Sequence, residues 1–284
     1  MEFVEKLDLK INVELQVPGV QGLTVPVSIK FPLPDGTRCV KGIDFGVKYN
    51  KYRLISGHNA DFMNDPLFDE ASRLATDALR GSPQWQLDIA RSWNVYVCCW
   101  AASHAKNLPG DFVECGVHRG MISRAVIHYI DFNNTGKTFY LADTFYGIPE
   151  EQVTEEEKKF YASLGSDVVS HHNKHYYNKD CYDAVKETFK DFNVKLIRGK
   201  VPDTLPQIKA EKVCYLSIDM NTVAPEIAAV EYFWDRMVPG GIIILDDYGW
   251  DWHKPQKEGF DEFAKRKSVQ ILPLPTGQGL IIKP

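Results

Sequence analysis

The sequence has no run approaching the roughly 20 consecutive apolar residues that a membrane helix needs, which excludes a helical membrane span. Its opening residues, MEFVEKLDLK, carry acids where a secretory signal carries a basic patch and an apolar stretch, so a cytoplasmic location is expected. Positive charge is also short. Lys and Arg number 33 against 38 Asp and Glu, a formal net charge of −5, and no local basic patch stands out. Nucleic acid and anionic membrane surfaces are therefore disfavoured as partners. The six cysteines (Cys39, Cys98, Cys99, Cys115, Cys181 and Cys214) include no C-x-x-C pair. Cys115 and Cys214 fall in apolar strand-like runs, so reduced structural thiols are expected. Internal repeats and low-complexity tracts are missing too. What remains is 284 residues, 44% hydrophobic, 25% charged and 12% aromatic. That composition belongs to a folded chain with a sizeable core and excludes disorder, collagen and coiled coil.

Residues 1–58 read as a small β-rich extension: INVELQV, LTVPVSIKF and KYRLIS alternate or are β-branched, with Gly19, Pro34, Asp35 and Gly36 as turn residues. Residues 59–108 read as a helical lead-in. DEASRLATDALRG ends at Gly81, and a longer helix runs from Gln84 to Lys106 before Pro109 and Gly110 stop it. From 109 to 284 strands and helices alternate. The strands are DFVECGV, KTFYLADTF, VKLIRGK, KVCYLSIDM and GGIIILDDYG, with helices at MISRAVIHYIDF, around Cys181 to Asp191, and from Pro225 to Met237. At the end, VQILPLP and LIIKP flank the turn Thr276-Gly277-Gln278-Gly279 and read as a hairpin. The expected fold is a Rossmann-like, doubly wound α/β domain: a mostly parallel seven-stranded sheet with an antiparallel C-terminal strand, plus the β-rich N-terminal extension. A parallel sheet closed in this way resembles class I adenosylmethionine-dependent methyltransferases more than dinucleotide dehydrogenases. EEQVTEEEKK, at 150–159, reads as a solvated helix start.

The first strand runs into Glu114-Cys115-Gly116-Val117-His118-Arg119-Gly120 and then a helix, a turn at which a ligand can approach backbone amides. The pattern is E-x-G-x-x-x-G, so the pyrophosphate fingerprint G-x-G-x-x-G is incomplete. Adenosylmethionine suits it better, because its ammonium can meet Glu114 and its carboxylate can meet turn amides or the Ser123 hydroxyl. Asp143 ends the second strand at about the spacing where such folds place an acid on ribose hydroxyls; a turn aspartate is the plainer alternative. Asp219, Asp246 and Asp247 fall at the same carboxyl edge. Acids so placed repel one another unless a cation lies between them, and Mg²⁺ prefers such oxygen ligands; caps or cationic side chains are the alternative. His253, in GWDWHKP, is either a general base or a surface histidine. Its neighbours Trp250 and Trp252 either stack on a sugar face or cover the core. His171, His172 and His175 lack an evident helix or strand frame and a second ligand group. His104 reads as a packing or interface residue.

Taken in order, GDFVECGVHRG, LADTFYGIP, GKVPDTLP, SIDMNTVAPE and VPGGIIILDDYG resemble the TylF/MycF macrocin O-methyltransferase family, which methylates sugar hydroxyls with adenosylmethionine and Mg²⁺. The resemblance runs from about Leu108 to Phe263 and leaves out residues 1–58. It implies that Glu114, Gly116, Gly120, Ser123 and Asp143 hold the cofactor and that Asp219, Asp246 and Asp247 hold the metal. Asp219 or His253 would take the acceptor's proton. Two departures stand out. The family's D-x-D-x-Y-x-P-T reads here as Asp219-Met220-Asn221-Thr222-Val223-Ala224-Pro225-Glu226, without the second acid and the tyrosine. Its D-T-F-E-G reads Asp143-Thr144-Phe145-Tyr146-Gly147. The expected function is an adenosylmethionine- and Mg²⁺-dependent O-methyltransferase for a sugar or small natural-product hydroxyl. A catechol-like or other vicinal diol acceptor, or a degenerate fold serving as a binding scaffold, are the alternatives. A homodimer is the expected assembly.

Overall fold

The computed structural model describes residues 48–52, 54–82, 84–85, 89–175 and 180–284, with the backbone of the N-terminal strands. Two compact units divide the chain, Met1–Ala60 and Asp61–Pro284. In the first, β1 (Phe3–Val4) pairs antiparallel with β4 (Cys39–Val40), and β2 (Lys6–Glu14) with β3 (Thr24–Pro32). A short hairpin, β5 (Tyr49–Lys51) and β6 (Leu54–Ser56), follows. The strand expected in INVELQV begins earlier, at Lys6, because LDLKINV alternates throughout. The turn residues Gly19, Pro34, Asp35 and Gly36 lie outside the described residues.

The second unit is built on a seven-stranded sheet of order β12-β13-β11-β10-β7-β8-β9. Its parallel strands are β7 (Asp111–Cys115), β8 (Phe139–Asp143), β9 (Val194–Arg198), β10 (Val213–Ile218) and β11 (Met237–Leu245). β12 (Leu272–Pro273) and β13 (Gly279–Ile282) form the closing antiparallel hairpin that the turn residues between them call for, and β13 also lies antiparallel to β11. The inner strands β8 and β10 and the IIIL end of β11 are buried throughout because both faces of the sheet are covered there. Phe112, Tyr215, Ile242 and Ile244 pack on one side, against α2 (Trp93–Ala105) and α3 (Met121–Tyr129). Val113, Leu216, Ile243 and Leu245 pack on the other, with α7 (Val223–Trp234) and α8 (Lys254–Lys267). The rings of Phe112 and Tyr215, on adjacent strands, stack at 4.9 Å. α1 (Pro66–Ala78) starts on Pro66 behind Asp65, whose carboxylate accepts from Leu67 N. Among the described residues no helix is long and apolar enough to cross a membrane.

Four local expectations are corrected. The helix read from Gln84 starts at Trp93, because the Ser92 hydroxyl caps it by accepting from Val95 N. The helix read as running to Met237 ends at Trp234, and Met237 opens β11. The acidic run is helical in α4 (Glu155–Ser163), yet it is not wholly solvated. Glu157 is fully buried, completing a capping box with Thr154 while accepting from Val223 N at the start of α7. The histidine run does have a frame, α5 (Val168–His175).

Strand order reverses between β7 and β10, and open α/β sheets bind ligands at the carboxyl ends around such a point. Backbone bonds tie those ends together beyond the strands: Asp246 N to Ile218 O, Asp219 N to Cys115 O, and Gly116 N to Ala142 O. Gly116 is required by this crowding, since at φ +89° a Cβ there would lie 1.8 Å from the Asp219 carbonyl oxygen. Gly116→Ala is expected to cost about 2–6 kcal/mol, combining overpacking and left-handed strain of roughly 1–3 kcal/mol each. Gly136→Ala provides the contrast, because Gly136 also has positive φ, +70°, but no atom within 4 Å of a Cβ. Denaturant titration of the two variants should show a clearly larger loss for Gly116→Ala; equal losses would refute the packing argument.

Candidate active site

Glu114 sits inside β7 at register with Ser217 and Leu141, so its side chain is enclosed by neighbouring strands and is 2% exposed. Its Oε2 accepts from the Ser123 hydroxyl at 2.5 Å. Burial, with Asp143 and Asp246 nearby, raises the Glu114 carboxyl to about 8 against the pull of that hydrogen bond. Ser123, expected to meet a ligand carboxylate, is fully buried and engaged with Glu114, so it steadies the acid. Gly116 and Gly120 both have positive φ. A Cβ on Gly120 would press into the Phe189 ring of α6 (Tyr182–Phe189) at 2.4 Å, so both glycines serve the packing of the turn.

Asp143 ends β8 beside this turn. Its Oδ2 accepts from Val117 N and His118 N at 2.6 and 2.8 Å, and its Oδ1 from Phe145 N at 2.5 Å. A carboxylate has about four acceptor sites, so three amides leave little capacity for ribose hydroxyls. The structure therefore makes Asp143 the organiser of the glycine turn. Tyr146, where the family pattern has an acid, is 49% exposed.

Across the switch point, Asp219 follows β10, and Asp246 and Asp247 follow β11. Burial comes first in raising all three carboxyls. Anionic neighbours add to it at Asp219 and Asp247, whereas a Gln278 hydrogen bond opposes it at Asp246. Among the described residues, no three His, Cys, Asp or Glu side chains are drawn into a metal-ligating set. The donors are nonetheless all oxygen, and Asp247 Oδ2 is buried without a hydrogen-bond partner. That combination fits a hard divalent cation, which needs only one or two carboxylates when water and substrate complete its shell.

Neutral donors hold these acids. Asn221 Nδ2 donates to Asp219 Oδ1 at 2.9 Å, which is the use this chain makes of the residue replacing the family's second acid. Asn221 itself lies at φ +60°, tied down by Glu226, whose Oε1 accepts from Met220 N and Asn221 N at 3.0 and 2.8 Å. Burial raises the Glu226 carboxyl to about 8 despite both bonds. His253 Nε2 lies 3.7 Å from Asp247 Oδ1, while its Nδ1 faces Gln256 Nε2 at 2.9 Å and Tyr161 Oη at 3.3 Å. His253 thus stands beside Asp247. Trp250 packs against Gly277, and Trp252 is 48% exposed. His104 bonds to the Gly240 carbonyl, away from these acids.

Sequence reading passed over Glu157, Glu226, Tyr161, Gln256 and Gln278. Only Glu226 had a local signal, an acid in the first turn of a helix beside a proposed ligand loop.

Comparison with known proteins agrees with this fold. Residues 89–274 match the family described as Macrocin-O-methyltransferase (TylF). Mycinamicin III 3''-O-methyltransferase of Micromonospora griseorubida is 24% identical over 204 residues, 67% of this chain and 75% of that protein. Demethyldecarbamoylnovobiocin O-methyltransferase of Streptomyces niveus is 27% identical over 171 residues, 57% and 61% of the two chains. In three dimensions the O-methyltransferase NovP superposes with a TM-score of 0.61 at 18% identity, covering 76% of this chain and 97% of NovP. The calicheamicin methyltransferase CalS11 gives 0.57 at 16%, covering 79% and 94%. The scaffold alternative is set aside, since the chain belongs to the Macrocin-O-methyltransferase (TylF) family and is an O-methyltransferase on the class I adenosylmethionine-dependent fold.

Proposed function

We propose that this enzyme transfers the methyl of adenosylmethionine to a hydroxyl of a sugar or small natural product, with Mg²⁺ held by Asp219, Asp246 and Asp247. The observation that carries the reading is the edge of buried and half-buried carboxyls, Glu114, Asp219, Asp246 and Asp247, all shifted upward by desolvation. Such an edge is completed by positive charge from ligands. When bound, the sulfonium supplies an electrophilic methyl and the divalent ion lowers the pKa of the acceptor hydroxyl. Glu114 pairs with the cofactor ammonium, steadied by Ser123, while Asp143 fixes the turn built on Gly116 and Gly120 by accepting from its Val117 and His118 amides, so that the turn borders the cofactor. Asp219, which follows β10 at the same edge, takes the acceptor proton in its ionised form. His253, first read as an alternative base, keeps Asp247 oriented. Much of the acceleration is positioning of the acceptor oxygen in line with the methyl. A sugar acceptor is supported by relatives whose names specify glycosylated natural products, among them a rhamnosyl-tetracenomycin 4'-O-methyltransferase of Streptomyces olivaceus. The five buried thiols described fit a reducing cytoplasm, and a homodimer belongs to the same proposal.

Calorimetric titration with adenosylhomocysteine, with and without Mg²⁺, is the direct test; no binding in either condition would refute the reading. Asp246→Ala and Asp247→Ala are expected to lower turnover by about 10²–10⁴-fold while leaving adenosylhomocysteine affinity nearly intact. A cofactor affinity that collapsed with them would contradict this division of roles.

Glu114 yields a pH prediction. Between its ordinary 4.5 and about 8, the folded protein holds a proton that the unfolded chain has lost. Its contribution to stability is therefore fully present below pH 4.5 and disappears as pH rises through about 8. An ammonium beside it favours the ionised form, so cofactor binding at pH 7 releases a proton. Binding heats should vary with the ionisation enthalpy of the buffer, and Glu114→Gln should remove that dependence and flatten the stability profile over this range. Buffer-independent heats in the wild type would rule the pairing out.

A further inference from the structure

Asp246 is gripped by a residue beyond the matched family region. Gln278, fully buried in the turn between β12 and β13, donates Nε2–H to Asp246 Oδ1 at 2.9 Å. The same Nε2 lies 3.4 Å from the Asn94 carbonyl oxygen and 3.6 Å from Cys98 Sγ, both on α2. At its other end, Gln278 Oε1 accepts from the Thr276 hydroxyl at 3.0 Å, and Asn94 Nδ2 donates to Thr276 O at 3.1 Å. Asn94, Thr276 and Gln278 are 5%, 3% and 0% exposed, so water does not compete for these bonds. An ionised carboxylate only accepts, which decides which end of the amide faces Asp246.

We propose that Gln278 is the positioning residue of Asp246 for the divalent cation, an inference that rests on the metal reading above. A neutral amide holds one carboxylate oxygen without cancelling its charge. A lysine or arginine in its place would neutralise Asp246 and compete with the cation. The turn is a firm mount: Gly249 N donates to Gly277 O at 2.7 Å, and Leu245, the residue before Asp246, is in register with Gly279. At Gly277, φ is +89° and a Cβ would come within 2.5 Å of the Trp250 ring, so the turn lies flat against the loop carrying both aspartates. The C-terminal hairpin is thereby part of the active site, set from behind.

The test measures Mg²⁺ binding by calorimetry and Mn²⁺ binding by electron paramagnetic resonance, without acceptor, in the wild type, Gln278→Met and Thr276→Val. Gln278→Met keeps the length and removes the donor; it should weaken cation binding by about 10–100-fold, the range for outer hydrogen bonds to metal ligands. Adenosylhomocysteine affinity should not change. Thr276→Val, which releases only the far end of the amide, should give a smaller loss in the same direction. A lowered melting temperature with unchanged cation affinity in Gln278→Met would mean a merely structural role and would overturn the inference. Should Gln278→Met not fold, unchanged cation affinity in Thr276→Val overturns it instead. A wild type that binds neither ion removes the metal reading and this inference together, whereas a binding wild type with unaffected variants removes the inference alone.

Discussion

Burying several carboxylates at one sheet edge is the constraint around which the rest of this structure is arranged. Glu114 and Asp246 are buried, Asp219 and Asp247 are half-buried, and desolvation is the first cause of the upward shift of each. An unpaired buried charge is costly, so the chain must either supply cations of its own or keep the acids oriented by neutral donors until ligands bring the charge. It takes the second course. Ser123 holds Glu114, Asn221 holds Asp219, Gln278 holds Asp246, and His253 stands beside Asp247. Each partner directs a carboxylate, and the hydroxyl and amides among them do so without neutralising it.

The fold makes this arrangement possible by bringing four chain segments to one edge. The switch in strand order falls between β7 and β10, and lateral backbone bonds place Gly116, Asp219 and Asp246 in a row. Behind that row, a further layer of buried polar groups fixes the loops. Glu226 gathers two amides of the Asp219 loop, Glu157 reaches from α4 to the first amide of α7, and Asp143 gathers two amides of the glycine turn and one of its own loop. The departures from the family pattern make sense within this frame. Asn221 acts as a donor to Asp219, and Tyr146 lies at the surface, where no buried charge depends on it.

Much of the architecture was legible because it rests on local rules. Alternating β and α segments, apolar strands covered on both faces, and a closing hairpin announced by its turn residues all appear where expected. Helix limits were less legible, since Ser92 as a cap and Met237 as a strand residue depend on what packs around them. The candidate site divides in the same way. The acids were identified because they close apolar strands at the ligand-binding edge. The amide grip on Asp143, the burial of Glu157 and the contact of Tyr161 with His253 were hidden, because each depends on a neighbour distant in the chain.

By itself, then, the sequence determined the parallel sheet, the glycine turn and the set of carboxylates at its carboxyl edge, because strand period, turn chemistry and strand-end position are properties of short segments. Tertiary structure alone decided what each carboxylate does. Asp246 meets Gln278 across 32 residues, Val223 meets Glu157 across 66, and Tyr161 meets His253 across 92. Hydrogen bonds of this kind form only when packing has brought both partners out of water, and no local spacing encodes that.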